Sequence, residues 1–208
     1  MGKKGMEKMT SPTSKTFTSK RQRTEQDRAQ VEEKWIGPGG VRLAHPRDCA
    51  KVDPSVVAAL KEVCVGKVCE IGCGTGRIAK LFSSENYIGL DINHLAVGSA
   101  EKACPRHNFD LIMWDTLYPT ADTYLFFTVM MHIPDAELSG VIKRLDRRVV
   151  VVESMGRWLR DYGKGNNYQR DPKEYRNYFW WGIGMGEKKI IHCKTEHYPY
   201  YLDVMVFE

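Results

Sequence analysis

The stretch Val68-Cys69-Glu70-Ile71-Gly72-Cys73-Gly74-Thr75-Gly76-Arg77 decides how this chain reads. Val65–Ile71 is predicted to be a strand. Three alternating glycines then break it. Glycine tolerates positive φ and lets a ligand approach the backbone closely, so the run predicts a tight ligand-binding turn. Arg77–Phe82 is predicted to open a helix, whose free N–H groups and dipole would face the same ligand. A phosphate loop needs GxxxxGK[ST], and no such run exists in the chain. A dinucleotide turn needs GxGxxG, and counted from Gly72 its third glycine falls on Arg77.

Outward from this turn, apolar strands alternate with helical stretches. Asp53-Pro54 is a helix start, with Asp as cap and Pro in the first turn. Ser55–Cys64 then places Val56, Val57, Leu60 and Val63 on one face. The predicted strands after Ile71 are Tyr87–Ile92, Phe109–Trp114, Tyr124–Met130, Arg148–Glu153, Ile190–Thr195 and Tyr201–Phe207. His94–Ala103, Ala136–Leu145 and residues 172–181 are the predicted helices between them. Val149-Val150-Val151-Val152 is apolar on both faces and belongs inside a helix-covered parallel sheet. No helix-length segment separates the last two strands, so they are expected to pair antiparallel. The expected fold is α/β: a doubly wound, mostly parallel seven-stranded sheet with antiparallel C-terminal strands.

The GxGxG spacing after an acidic residue resembles the first motif of the class I S-adenosylmethionine (SAM)-dependent methyltransferases, in their small-molecule branch. The later positions agree in order and spacing. Asp91 closes the next strand, where the family carries an acidic residue that accepts from both ribose hydroxyls. Trp114-Asp115-Thr116 resembles the adenine-contacting position. Thr128-Val129-Met130-Met131-His132-Ile133-Pro134-Asp135 resembles the family's Leu-His-His-Ile-Pro-Asp stretch, with Met131 where the first His often stands. The resemblance covers about residues 53–153 and is fainter to 208. It implies SAM as cofactor, held by Glu70, Gly72, Cys73, Gly74, Gly76, Asp91, Ile92, Asp115, Thr116, Thr128 and Met131. Glu70 is expected to fix the loop rather than meet the methyl. Asp91 has a plainer reading as a helix N-cap, and Asp115 one as a turn residue.

A sulfonium already activates its methyl, so positioning supplies most of the acceleration. A base is needed only where the acceptor loses a proton, and His132 is the candidate catalytic residue, with a satisfied histidine at a strand end as its plainer reading. The acceptor is expected above the strand ends, beneath residues 154–189, a substrate-side insertion. That segment holds Tyr162, Tyr168, Tyr175, Tyr178, Phe179, Trp180 and Trp181. Tyr178, Trp180 and Trp181 are candidate acceptor contacts, and a helix packing its apolar face on the sheet is the competing reading. Arg157, Arg160 and Arg170 could meet an anionic acceptor, although scattered arginines usually face solvent. The [DNS]PP[YFW] stretch of DNA amino-methyltransferases and the Pro-Cys pair of cytosine C5 enzymes are both missing. The acceptor expected is a small molecule methylated at O, N or C.

The charge is uneven. The chain has 208 residues and a net charge of +5. Residues 1–30 hold eight Lys and Arg against three Asp and Glu, so the remainder is neutral. This excludes a uniformly basic protein and predicts a basic, disordered arm over 1–34 followed by one domain over 35–208. Residues 3–28 of the arm could hold a nucleic acid through its phosphates, which keeps RNA or another polyanion as an alternative acceptor. A non-catalytic methyltransferase-like binding protein and a dehydrogenase are further alternatives. No stretch approaches the roughly 18 apolar residues of a membrane span. The six cysteines form no CxxC pair, so no metal is expected. Free thiols and a cytoplasmic location are the expectation.

Overall fold

The structure is a computed structural model. It describes Trp35, Ile36 and residues 52–113, 117–154, 168, 170–196 and 201–208. Helix α1 (Pro54–Val63) starts as expected: Asp53 Oδ1 accepts from Ser55 N at 2.9 Å, and Pro54 fills the first turn. Its buried face is Val56, Ala59, Leu60 and Val63. Val57, expected on that face, is half-buried. Strands β1 (Val68–Ile71) and β2 (Tyr87–Asp91) are followed by α2 (His94–Ala103) and β3 (Asn108–Leu111). Strand β4 (Thr123–Phe127), α3 (Asp135–Ile142), β5 (Arg148–Glu153), α4 (Pro172–Ile183), β6 (Glu187–Lys194) and β7 (Tyr201–Phe207) complete the order.

The seven strands form one sheet in the order β3-β2-β1-β4-β5-β7-β6. The five strands from β3 to β5 are parallel, and β7 pairs antiparallel with both β5 and β6. Val149 and Val151 enter one core layer with Leu138, Val141, Ile142, Tyr175 and Phe179 from α3 and α4. Val150 and Val152 enter the other with Val56, Leu60 and Val63 from α1. All four valines are fully buried, so the apolar run at β5 is explained by helices on both faces. The expected mixed, doubly wound sheet is therefore present.

One expected element is not. Arg77–Phe82 does not form an α-helix; it runs through consecutive turns that end in a 3-10 segment, Ala79–Leu81. Its amides bond three residues back, as in Ala79 N to Gly76 O at 3.3 Å and Leu81 N to Ile78 O at 2.9 Å. Gly72, Gly74 and Gly76 all take positive φ just upstream, so no helical turn is available to nucleate a longer run. The chain then drops Ile78 and Ala79 directly into the core beside Tyr87. Among the described residues, no helix is long and apolar enough to cross a membrane.

Candidate functional site

Strand order reverses between β1 and β4, and open α/β sheets bind ligands outside the carboxyl ends of the strands at such a point. Three loops meet there, after β1, β2 and β4. In the first, Gly72 N and Cys73 N donate to Leu90 O at 2.7 and 2.9 Å, which ties the turn to β2. Gly72 has φ +77°, and a Cβ on it would lie 2.5 Å from Val129 Cγ2, so the first and third loops touch through a glycine. Gly74 N donates to Asp91 Oδ2 at 2.7 Å.

Asp91 joins the first two loops, because its other oxygen accepts from Asn93 N at 2.9 Å. The helix cap is Asn93, whose Oδ1 accepts from Leu95 N and Ala96 N, so Asp91 does not serve α2 as its N-cap. Burial raises the Asp91 carboxyl above the ordinary Asp value, and the backbone N–H bonds oppose that. Ile92 packs half-buried against the core beside it.

Glu70 lies beneath the glycine turn and is 3% exposed. Its Oε2 accepts from the Tyr87 hydroxyl on the neighbouring strand. Burial pushes its carboxyl up to about 8, against the opposing Tyr87 bond and the Arg77 charge. The thiols nearby stay protonated: burial pushes Cys69 up to about 12 and Cys73 well above the ordinary value. Cys73 therefore contributes backbone, not a thiolate.

The third loop begins with Thr128 at φ +57°, a left-handed conformation that is strained for a β-branched residue. A 3-10 turn follows over Met130–His132. Trp35 reaches across to it: its ring centroid is 4.5 Å from that of His132, and its carbonyl accepts from Asn93 Nδ2 at 2.5 Å. Trp35 thus spans the β2 and β4 loops above the glycine turn.

The residue least legible in the sequence is Arg170. Grouped with arginines expected to face solvent, it is 1% exposed. Its guanidinium donates to Met130 O at 2.7 Å, Ile133 O at 2.8 Å and Asp135 Oδ1 at 2.6 and 2.9 Å. Glu153, at the end of β5, accepts from Met131 N at 3.2 Å. Burial pushes Glu153 up to about 8, opposed by backbone N–H groups and by Arg170. An invariant spacing does not flag such residues; only the hydrogen-bonding demand of a short buried turn does.

The structure does not gather the aromatic segment at the site. Arg170, just before α4, binds the third loop, whereas Phe179 stacks on Phe207 at 4.0 Å. Phe207 pairs with Val149 at the opposite end of β5. The last turns of α4 thus lie away from the glycine turn, and Trp180 and Trp181 stand exposed there (57% and 82%). Tyr178 sits nearer, with its ring centroid 5.6 Å from the Arg170 guanidinium carbon. Tyr175 and Phe179 are core residues, as the packing alternative required. Trp114, Asp115 and Thr116 lie outside the described residues, as do Arg157, Arg160, Tyr162 and the arm over 1–34.

No protein-family model and no curated protein sequence matches the chain. Solved structures do. Magnesium protoporphyrin IX methyltransferase from Synechocystis PCC 6803, with SAM bound, superposes with a TM-score of 0.63 at 20% identity, over 87% of this chain and 96% of its own. A TehB-like SAM-dependent methyltransferase from Corynebacterium glutamicum gives 0.61 at 15% identity, over 82% and 98%. A SAM-dependent methyltransferase from Methanosarcina mazei gives 0.58 at 19%, over 76% and 97%. The sheet order, the reversal between β1 and β4 and these superpositions together assign the chain the fold of the class I SAM-dependent methyltransferases.

Proposed function

We propose that this chain is a SAM-dependent methyltransferase acting on a small-molecule acceptor at O, N or C. The observation that carries the reading is the joining of the three switch-point loops: Gly74 N on Asp91 and Gly72 against Val129. The residues suit the cofactor. The two Asp91 oxygens accept from Gly74 N and Asn93 N, and a carboxylate with two acceptor oxygens and no donor suits a pair of vicinal ribose hydroxyls. Gly72, Gly74 and Gly76 all take positive φ, a Cβ on Gly72 or Gly76 would crowd its neighbours, and Glu70 at the end of β1 is held by Tyr87. Ile92, Thr128 and Met131 are assigned to the cofactor crevice in this reading, and the resemblance adds Asp115 and Thr116, outside the described residues, for the adenine.

SAM supplies a methyl on a sulfonium that is already electrophilic. The chain's own task is to bind, orient and exclude water. Asp91 and the glycine turn fix the nucleoside end. Thr128 to His132 define the acceptor side, and His132 takes the proton where the acceptor must lose one. Burial of Cys69 and Cys73 leaves no nucleophilic thiolate there, which speaks against a covalent cysteine route. A small acceptor is supported by the compactness of the body: the described elements form one sheet and its covering helices, with no separate substrate domain among them. The similar Synechocystis protein acts, by its name, on a porphyrin.

Calorimetry with SAM, S-adenosylhomocysteine and NAD tests the reading. Binding of the first two and not the third is expected, and no binding of either sulfur compound sinks it. A radiolabelled methyl screen over metabolites, RNA, DNA and protein extract identifies the acceptor. His132→Ala is expected to cut transfer much more than SAM affinity; equal losses would make it a cofactor-pocket residue instead.

A further inference from the structure

The turn that carries His132 does not hold itself. A single 3-10 turn has weak hydrogen-bond geometry and few bonds of its own. Here four of its backbone groups are tied to distant residues. Met130 O and Ile133 O accept from Arg170, Met131 N donates to Glu153, and Met131 O accepts from Tyr168 N at 2.6 Å. We propose that Arg170 and Glu153 are positioning residues for methyl transfer, gripping different backbone groups of the 130–133 turn so that His132 stays aimed at the acceptor. This rests on the methyltransferase reading above.

Packing alone does not account for the pair. The Arg170 side chain is fully buried, and its ion-pair partner Asp135 is partly exposed. Removing an arginine from water is costly unless every donor is matched, and an apolar residue of similar size often serves stability as well or better. What an apolar residue lacks is direction. The rigid guanidinium fork meets two carbonyls and one carboxylate at set angles, and so fixes the turn's orientation as well as its depth. Glu153 gives a second sign of a geometry kept for position. Its Oε2 is buried without a hydrogen-bond partner among the described residues. A core built only for stability leaves few such atoms. Thr128, held at φ +57° immediately upstream, adds strain that persists only where surroundings over-determine the backbone.

The test reads the His132 ring directly, by NMR of 13C-histidine-labelled protein, with His132→Gln to assign its signal. The Trp35 ring lies 4.5 Å away and marks the native position through its ring current. Arg170→Lys keeps the charge but cannot span three acceptors, and Glu153→Leu removes the acceptor for Met131 N. Both are expected to shift the His132 resonance while SAM affinity stays within about threefold. Glu153→Gln retains an acceptor oxygen and is expected to restore the native signal. Asp135→Asn, at a partly exposed site, weakens the Arg170 grip without opening the core and is expected to shift it in the same direction. Arg176→Ala, which breaks only the Glu187 pair on the outer side of α4, is expected to leave it unmoved. An unmoved His132 in folded Arg170→Lys and Asp135→Asn overturns the proposal, and so does an equal shift in Arg176→Ala. Failure of the unaltered protein to bind SAM overturns the functional reading instead, so the two failures are separable.

Discussion

Replacing Gly72 by Ala tests the site at its tightest point. The residue has φ +77°, and an L side chain in the left-handed region costs about 1–2 kcal/mol. The added Cβ would also lie 2.5 Å from Val129 Cγ2 and 2.8 Å from Cγ1. Valine has a stiff χ1 and cannot swing aside easily, so Val129 must move with its backbone. Overpacking of this kind costs about 1–3 kcal/mol. For a chain of 208 residues, each kcal/mol corresponds to about 2–4 °C in Tm. A Tm loss of about 5–15 °C is therefore expected by calorimetry. SAM affinity should fall about tenfold or more, because the glycine turn and the Thr128–His132 segment are pushed apart at their contact. Gly98→Ala is the control. Nothing lies within 4 Å of its added Cβ, and it sits inside α2. Alanine there should stabilise by about 0.5–1 kcal/mol with unchanged SAM binding. A Gly72→Ala protein that melts with the parent and binds SAM equally well would refute the claim that the two loops meet at this glycine.

Three further outcomes are expected. Glu70 and Glu153 are each raised to about 8 by burial, so between about pH 4.5 and 8 the native state holds protons that the unfolded chain has released. Stability is then greatest below the unfolded value and falls as pH rises through about 8, by about 1.4 kcal/mol per pH unit for each group. Urea unfolding should show a shallower decline in Glu70→Gln or Glu153→Gln, and an unchanged slope in both variants refutes the buried-carboxyl assignment. Asp91→Ala removes the acceptor for Gly74 N and Asn93 N; SAM affinity should drop by about 100-fold, since both the loop anchor and the ribose acceptor are lost, and calorimetry showing less than a threefold change would contradict that role. If RNA is the labelled acceptor, a chain beginning near residue 31 should lose transfer to it and much of its salt dependence; equal labelling at every salt concentration would exclude the arm from acceptor binding.

Wherever a local pattern sufficed, the sequence was a reliable guide. Val149–Val152, apolar on both faces, could only be a strand covered on both sides. Asp53-Pro54 stated its own helix start, and the spacing singled out the glycine turn and Asp91, which the structure joins through Gly74 N. Local pattern failed at Arg77–Phe82. Six helix-compatible residues were read as a helix, but three positive-φ glycines just upstream and the pull of Ile78 and Ala79 into the core produced turns. Composition left two readings open for the aromatic segment, a pocket and a helix packed on the sheet; Tyr175 and Phe179 enter the core, with Phe179 stacked on Phe207, while Trp180 and Trp181 stand exposed.

By itself, the sequence determined the layer architecture and the place of the glycine turn between β1 and the next strand, because hydrophobic period and turn chemistry are properties of neighbours along the chain. Only the tertiary structure decided what each buried charge answers to. Glu70 meets Tyr87 on the next strand, and Arg170 meets carbonyls 37 and 40 residues away. An arginine in a sequence carries no mark of its burial. That is set by which backbone groups the fold leaves unpaired beside it, and here they belong to the short turn that holds His132.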